Sequence, residues 1–267
     1  MKIVRFLDSV GRVHYGALQP DGAVFRIEGD ILGNYTVTRQ AMAVAKILAP
    51  IVPTAILCIG LNYRRHAAET GAKTPEFPVL FFKNPACVQN PDDPIELPRH
   101  LASGEVDYEA ELAIVIRQRA KNVSEADALK YVLGFTAAND VSARDWQKQW
   151  GGSQWCRGKS FDTFCPLGPA IVTVDEIGNP NQLAVQTRVN NEILQQSNTA
   201  DMIFSVERII AFLSGSTTLL PGTVILTGTP EGVGMARKPP RWLAEQDRVR
   251  IEIDRIGVLE NPVIAES

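Results

Sequence analysis

Glu109 and Glu111 stand two positions apart in VDYEAELAIVI, at the entrance to a strongly apolar run. Side chains alternate along a strand, so both carboxylates point to one side. On a buried strand such a pair repels itself and loses hydration, which demands a positive charge between the two. On a water-facing edge strand it is simply solvated. Asp140 follows the apolar part of GFTAANDVSARDWQ and falls at a strand end, although Asn-Asp before Ser142 is also ordinary turn chemistry. Glu109, Glu111 and Asp140 together offer only oxygen ligands. That set suits Mg²⁺ or Mn²⁺, accommodates Ca²⁺, and disfavours zinc. Removing Glu109 or Asp140 is expected to strip a ligand and relieve repulsion, leaving the fold intact.

His66 and Glu69 in GLNYRRHAAETG are three apart and share a face on a helical turn, where the carboxylate could orient the imidazole as a general base. The same spacing also describes a surface pair. Gly71, Pro75 and Pro78 beyond it read as a loop. Lys159, in WCRGKSFDTFCPLGP, is either a desolvated cation able to balance carboxylates or an enolate oxygen, or a snorkelling surface lysine. VILTGTPEGVG reads as a strand entering a Thr and Gly turn, either an anion-holding loop or a plain hairpin. Cys156 and Cys165 flank a polar loop and keep thiol chemistry open as a rival.

The elements that must position these residues are mostly strands. AILCIG, VLFF, ELAIVI, VLGFTAAN, PAIVTV, VILTG and VRIEI are short, rich in Val and Ile and bounded by turn residues. SEADALKYV predicts a helix capped by Ser124, and MIFSVERIIAFLSG a helix with apolar residues at 202, 203, 206, 209, 210 and 213, closing on Gly215. Before Pro50 and Pro53 lies a small strand-rich unit ending in a predicted helix near Gln40 to Ala49. This divides the chain into a small N-terminal domain, residues 1–53, and a catalytic domain, residues 54–267. The fold class is strand-rich α+β with a rolled or sandwiched sheet as core.

A net charge of −3 over 267 residues leaves no basic footprint for nucleic acid or an anionic membrane. No stretch reaches the roughly 18 apolar residues of a membrane helix, and Asp8 interrupts any apolar leader, so a cytoplasmic protein is expected. The four cysteines show no C-x-x-C spacing, which suggests neither a zinc site nor a disulfide framework.

Read in order from about residue 54 to 260, the segments GLNYRRHAAE, FFKNP, DYEAELAIVI, NDVSARDWQ, GKSFDTFCPLGP, LTGTPEGVG and KPP resemble the fumarylacetoacetate hydrolase family. The likeness is strongest to its fumarylacetoacetate hydrolase domain-containing members. It implies a mixed β-sandwich roll that forms homodimers. It also implies metal ligands at Glu109, Glu111 and Asp140, catalytic roles for His66, Glu69 and Lys159, and substrate contacts from Arg144, Gln147, Thr229 and Lys83. The activity implied is that of an Mg²⁺- or Mn²⁺-dependent enzyme acting on a small 2-oxo acid through a metal-bound enolate. Cleavage of an acylpyruvate carbon–carbon bond comes first, with oxaloacetate tautomerisation or decarboxylation as the alternative and a non-catalytic metabolite-binding dimer as the rival of another class. One departure matters. No acid precedes His66 where the long fumarylacetoacetases carry a further ligand, so fumarylacetoacetate itself is not the expected substrate.

Overall fold

The run ELAIVI forms a strand, Ala110–Ile116, that is buried along its whole length. Its uninterrupted apolar sequence has a simple cause: both faces are covered. Leu112, Ile114 and Ile116 pack with Val185, Ile251 and Ile253 of a second sheet, while Ala113 and Val115 pack with Ile3, Cys58, Ile171 and Val224. Glu109 and Glu111 have the parity of Ala113 and Val115, which places them on that second face.

The computed structural model describes residues 1–152 and 154–267. A 12-stranded sheet runs in the order Tyr35–Ala41, Val24–Gly29, Val13–Leu18, Lys2–Leu7, Cys165–Thr173, Val132–Asn139, Ala110–Ile116, Thr223–Leu226, Ala55–Gly60 and Val79–Lys83, with two short strands off this path. Thr223–Leu226 and Ala55–Gly60 are parallel, Thr223 opposite Ala55. Their neighbours in the centre are antiparallel. A five-stranded sheet centred on Arg248–Ile253 packs over the middle of the large one. The architecture is the expected strand-rich α+β sandwich of mixed sheets. Residues 1–50 are hydrogen-bonded into the large sheet through Lys2–Leu7 and Cys165–Thr173.

Three local expectations need correcting. The helix near Gln40 to Ala49 is absent: Tyr35–Ala41 pairs with Val24–Gly29, and Lys46–Leu48 pairs with Lys2–Leu7. A run this short cannot hold a helix alone, and an open sheet edge takes its backbone instead. Ser124 does cap, its side chain accepting from the Asp127 N–H at 3.2 Å, but the segment Glu125–Tyr131 winds as a 3₁₀ helix. The helix predicted from residue 202 begins at Val206, because Ser205 caps it by accepting from the Arg208 N–H. Met202 and Ile203 stay outside, and the Asn62 carbonyl holds the Ile203 N–H at 2.7 Å. Among the described residues no helix is long and apolar enough to cross a membrane.

Candidate active site

Register brings the three acids together. Ala110 lies opposite Asn139, so Asp140, the next residue, stands beside Glu109, and the Asp140 N–H donates to the Glu109 carbonyl at 2.9 Å. Ligand oxygens of Glu109, Glu111 and Asp140 lie within 4.8 Å of one another, and all three residues are buried. The alternatives of a solvated edge and a plain turn therefore fall away.

The positive charge demanded between such carboxylates is present. Lys159, ending the helical turn Cys156–Lys159, donates to Glu109 Oε2 at 2.6 Å and Asp140 Oδ2 at 2.7 Å. Lys83 donates to Asp140 Oδ1 at 2.6 Å. Arg144 donates from Nη2 to Glu109 Oε1 at 2.6 Å, from Nε to Asp107 Oδ2 at 2.9 Å and from Nη1 to Gln147 Oε1 at 2.9 Å. Glu111 differs from its neighbours. It accepts from the Gly228 N–H at 2.6 Å, and among the described residues it has no ion-pair partner. Burial, reinforced by the charges of Asp140 and Glu109, holds its carboxyl well above the ordinary range. Burial would raise Glu109 as well, but Arg144 and Lys159 outweigh it and hold that carboxyl low.

This arrangement fits a hard divalent cation. Four buried acids, Asp107, Glu109, Glu111 and Asp140, face three buried bases, Lys83, Arg144 and Lys159, so the cluster is one positive charge short. The uncompensated acid, Glu111, belongs to the close triad. Every ligand is oxygen, and each carboxylate oxygen has a second lone pair to offer.

His66 and Glu69 sit on the short helix Arg64–Glu69, with His66 Nδ1 2.8 Å from Glu69 Oε1. His66 is buried, so the pair is no surface ornament. Glu69 also accepts from the Gly232 N–H, at 3.0 and 3.1 Å to its two oxygens, which ties this helix to the TGTPEG turn. Asn62 makes a second tie, donating to the Thr227 carbonyl at 2.7 Å and accepting from the Phe204 N–H at 2.8 Å. The turn's Gly228 has φ +98, and a Cβ there would sit 2.7 Å from that of Asn62, so only glycine allows the approach. Leu61, beside it, takes φ 53, a strained value for a side-chain-bearing residue.

A cavity of about 240 Å³ takes in His66, Glu111, Gln147 and Thr229 together with Glu109, Arg144 and Lys159. Phe81, Trp155 and Met235 give it an apolar side. Asp140 and Glu69 act from behind that wall. Lys83, expected at the substrate, stands behind it too: its side chain is fully buried, and its charge is committed to Asp140. There burial opposes its positive charge, but Asp140 wins and raises its pKa. Neither Cys156 nor Cys165 lines the cavity. The Cys165 thiol is pushed well up by its hydrogen bond with Cys87 and by burial, which removes its promise as a nucleophile.

Sequence reasoning missed Asp107, Gln195 and Lys148. Asp107 is fully buried and, besides Arg144, receives the N–H groups of Gly234 at 2.7 Å and Met235 at 3.1 Å. Its signal was available, since it precedes Glu109 by the same two-residue step that separates Glu109 from Glu111. Gln195 donates to Thr229 Oγ1 and the Pro230 carbonyl at 2.9 Å and accepts from the Ala110 N–H at 3.0 Å. Nothing in ILQQSN marks it.

Comparisons with known proteins identify the family. The family model described as "Fumarylacetoacetate (FAA) hydrolase C-terminal" matches residues 55–264, and one described as "Rv2993c-like, N-terminal" matches residues 1–50. The chain is 51% identical over 219 residues to the mitochondrial oxaloacetate tautomerase of Xenopus laevis, covering 82% of this chain and 68% of that protein. Among solved structures it resembles a 5-carboxymethyl-2-hydroxymuconate delta-isomerase from Mycobacterium smegmatis (38% identity, TM-score 0.87) and a fumarylacetoacetate hydrolase from Exiguobacterium antarcticum (36%, 0.87), with all of each chain covered. A family match over most of the length, joined to relatives that are isomerases and hydrolases, makes this chain an enzyme of the fumarylacetoacetate hydrolase family.

Proposed function

We propose that this protein is a divalent-metal-dependent tautomerase that interconverts the enol and keto forms of oxaloacetate or a close 2-oxo dicarboxylic acid. The observation that carries this reading is the meeting, at one cavity, of a three-carboxylate centre and an imidazole whose Nδ1 is already bound to Glu69. Likeness to the Xenopus tautomerase supports the choice of substrate. Mg²⁺ or Mn²⁺ held by Glu109, Glu111 and Asp140, a set that also suits Ca²⁺, would polarise the 2-oxo group and offset negative charge developing there.

The chain's own residues supply the rest. With Nδ1 donating to Glu69, His66 keeps Nε2 to take a proton from C3 or return it. Lys159 carries a buried positive charge beside Glu109 and Asp140, where charge on the substrate's 2-oxygen would develop. Thr229, fixed by Gln195, offers a hydroxyl, and Gln147, fixed by Arg144, an amide. Phe81, Trp155 and Met235 reduce water around the reacting carbon.

A second reading keeps specific support. The same dyad could activate water for cleavage of an acylpyruvate, and the Exiguobacterium neighbour is named a hydrolase. Three assays on metal-loaded protein separate the readings: loss of oxaloacetate enol absorbance, oxaloacetate decarboxylation and acylpyruvate cleavage. Enol loss should be accelerated most, and chelation should abolish it. Cleavage without accelerated enol loss would overturn the tautomerase reading in favour of the hydrolase. His66→Ala should slow the proton transfer about 100-fold, the scale of a general base. Rates unchanged by that substitution would remove His66 from the chemistry.

A homodimer is the proposed assembly. The edge strand Val79–Lys83 exposes Leu80 at 41% and Phe82 at 50%, beside exposed Phe77 and Leu220, an apolar strip of the kind that interfaces cover. Sedimentation of a monomer at micromolar concentration would refute it.

A further inference from the structure

Four cationic or imidazole side chains line the cavity: His66, Arg144, Lys148 and Lys159. Three of them are committed. His66 is held by Glu69, Arg144 by Asp107 and Glu109, and Lys159 by Glu109 and Asp140. The charges of these three are already balanced by carboxylates, so a second negative group on a substrate gains less from them than from a cation that has no partner. Lys148 is the exception of the four: among the described residues its side chain has no ion pair and no hydrogen bond.

Its position is nevertheless built. Lys148 lies in the π-helical segment Trp146–Trp150, a form that recurs at functional sites because the extra residue re-aims side chains. Asp145 accepts from the Trp146 N–H at 2.8 Å and from Ser103 Oγ at 2.8 Å. The Trp146 ring packs edge-on against Trp150 and Phe161, with centroids 5.2 and 6.2 Å away, and its Nε1 donates to the Ala102 carbonyl at 3.1 Å. Gln147, the preceding residue, is locked by Arg144. A lysine carried by so fixed a segment reaches the cavity wall from its solvent side.

We infer that Lys148 determines specificity by binding the distal carboxylate of a 2-oxo dicarboxylic acid whose 2-oxo end lies at the carboxylate triad. The inference rests on the proposed 2-oxo acid site and adds the feature that selects a diacid over a substrate with a neutral tail. Lys148 stays exposed at the cavity mouth, where partial desolvation and the nearby charge of Arg144 lower its pKa against the opposing pull of Asp107, Glu105 and Glu109.

The test compares oxaloacetate with its 4-methyl ester, which undergoes the same enol-to-keto conversion without the distal charge. In Lys148→Met the ratio of kcat/KM for the diacid to that for the ester should fall about 10-fold or more, the scale of one charge-assisted hydrogen bond. Lys148→Arg should restore part of it. In parallel, calorimetry on Mg²⁺-loaded protein should give tighter binding of malate than of lactate, and Lys148→Met should erase most of that preference. An unchanged kcat/KM ratio together with an unchanged malate preference would overturn the inference. If wild-type protein does not accelerate enol loss yet prefers malate through Lys148, the tautomerase reading fails and the Lys148 assignment stands.

Discussion

Two regions of this molecule pair a cationic side chain with a carboxylate at the same distance for different ends. On the five-stranded sheet, Arg248 and Glu260 meet at 2.6 Å with side chains 55% and 25% exposed. In the large sheet, Lys83 and Asp140 also meet at 2.6 Å, but neither side chain has any exposure. Water screens the first pair and replaces either partner when it leaves, so the pair contributes little. The second has no water to fall back on, and each member holds the other's charge inside the protein. Hydrogen-bond length is therefore no guide to importance here; what distinguishes the regions is the medium around the bond.

The largest effect should come from breaking the buried network. Asp140→Ala leaves both Lys83 and Lys159 short of a partner, so denaturant unfolding should show a loss of about 3–5 kcal/mol along with loss of metal binding and activity. This revises the expectation that removing Glu109 or Asp140 spares the fold, since each carries two cations. Unaltered stability in Asp140→Ala would break the comparison.

Glu111→Gln sharpens it. No cation depends on Glu111, so metal affinity should fall, by calorimetry, while stability of the metal-free protein holds or rises. A pH series adds a signed check. The folded-state pKa of Glu111 lies well above its ordinary 4.5, so at pH values between the two the folded state binds the extra proton. Stability of metal-free wild type should then fall as pH rises through that window, and Glu111→Gln should flatten the slope.

The smallest effect belongs to the surface. Arg248→Ala should change the unfolding free energy by less than about 1 kcal/mol, less still in high salt, with activity intact. A larger loss would show that the exposed sheet face is held by its charges after all.

How much of this was legible in the sequence follows from how far each cue reaches along the chain. Period-two alternation put Glu109 and Glu111 on one face, and the apolar run before Asp140 put it at a strand end, because both are local properties of a strand. Lys159 was open from its own segment as a cation able to balance carboxylates, but Lys83 and Arg144 came only with the resemblance, since pairing Lys83 with Asp140 depends on strand order across the sheet. The helix expected near Gln40 to Ala49 failed for the same reason: a distant strand, Lys2–Leu7, claimed its backbone. Lys148 had no cue, as an unpaired lysine in a polar stretch looks like any surface lysine until its cavity is seen.

The tie from Asn62 to Thr227 spans 165 residues, and the strands they follow lie side by side near one edge of the sheet. A chain emerging from the ribosome presents His66, the carboxylates and Lys159 well before Thr223–Leu226 exists. Until that short strand docks, one edge of Ala110–Ile116 has no permanent neighbour, and a strand buried along its whole length in the finished fold is open to pairing with another chain. A loop of this length closes slowly but at little extra entropic cost compared with a shorter one. The burden therefore falls on kinetics. Refolding yield should drop as protein concentration rises, with association competing for the very strand that carries Glu111 of the carboxylate triad.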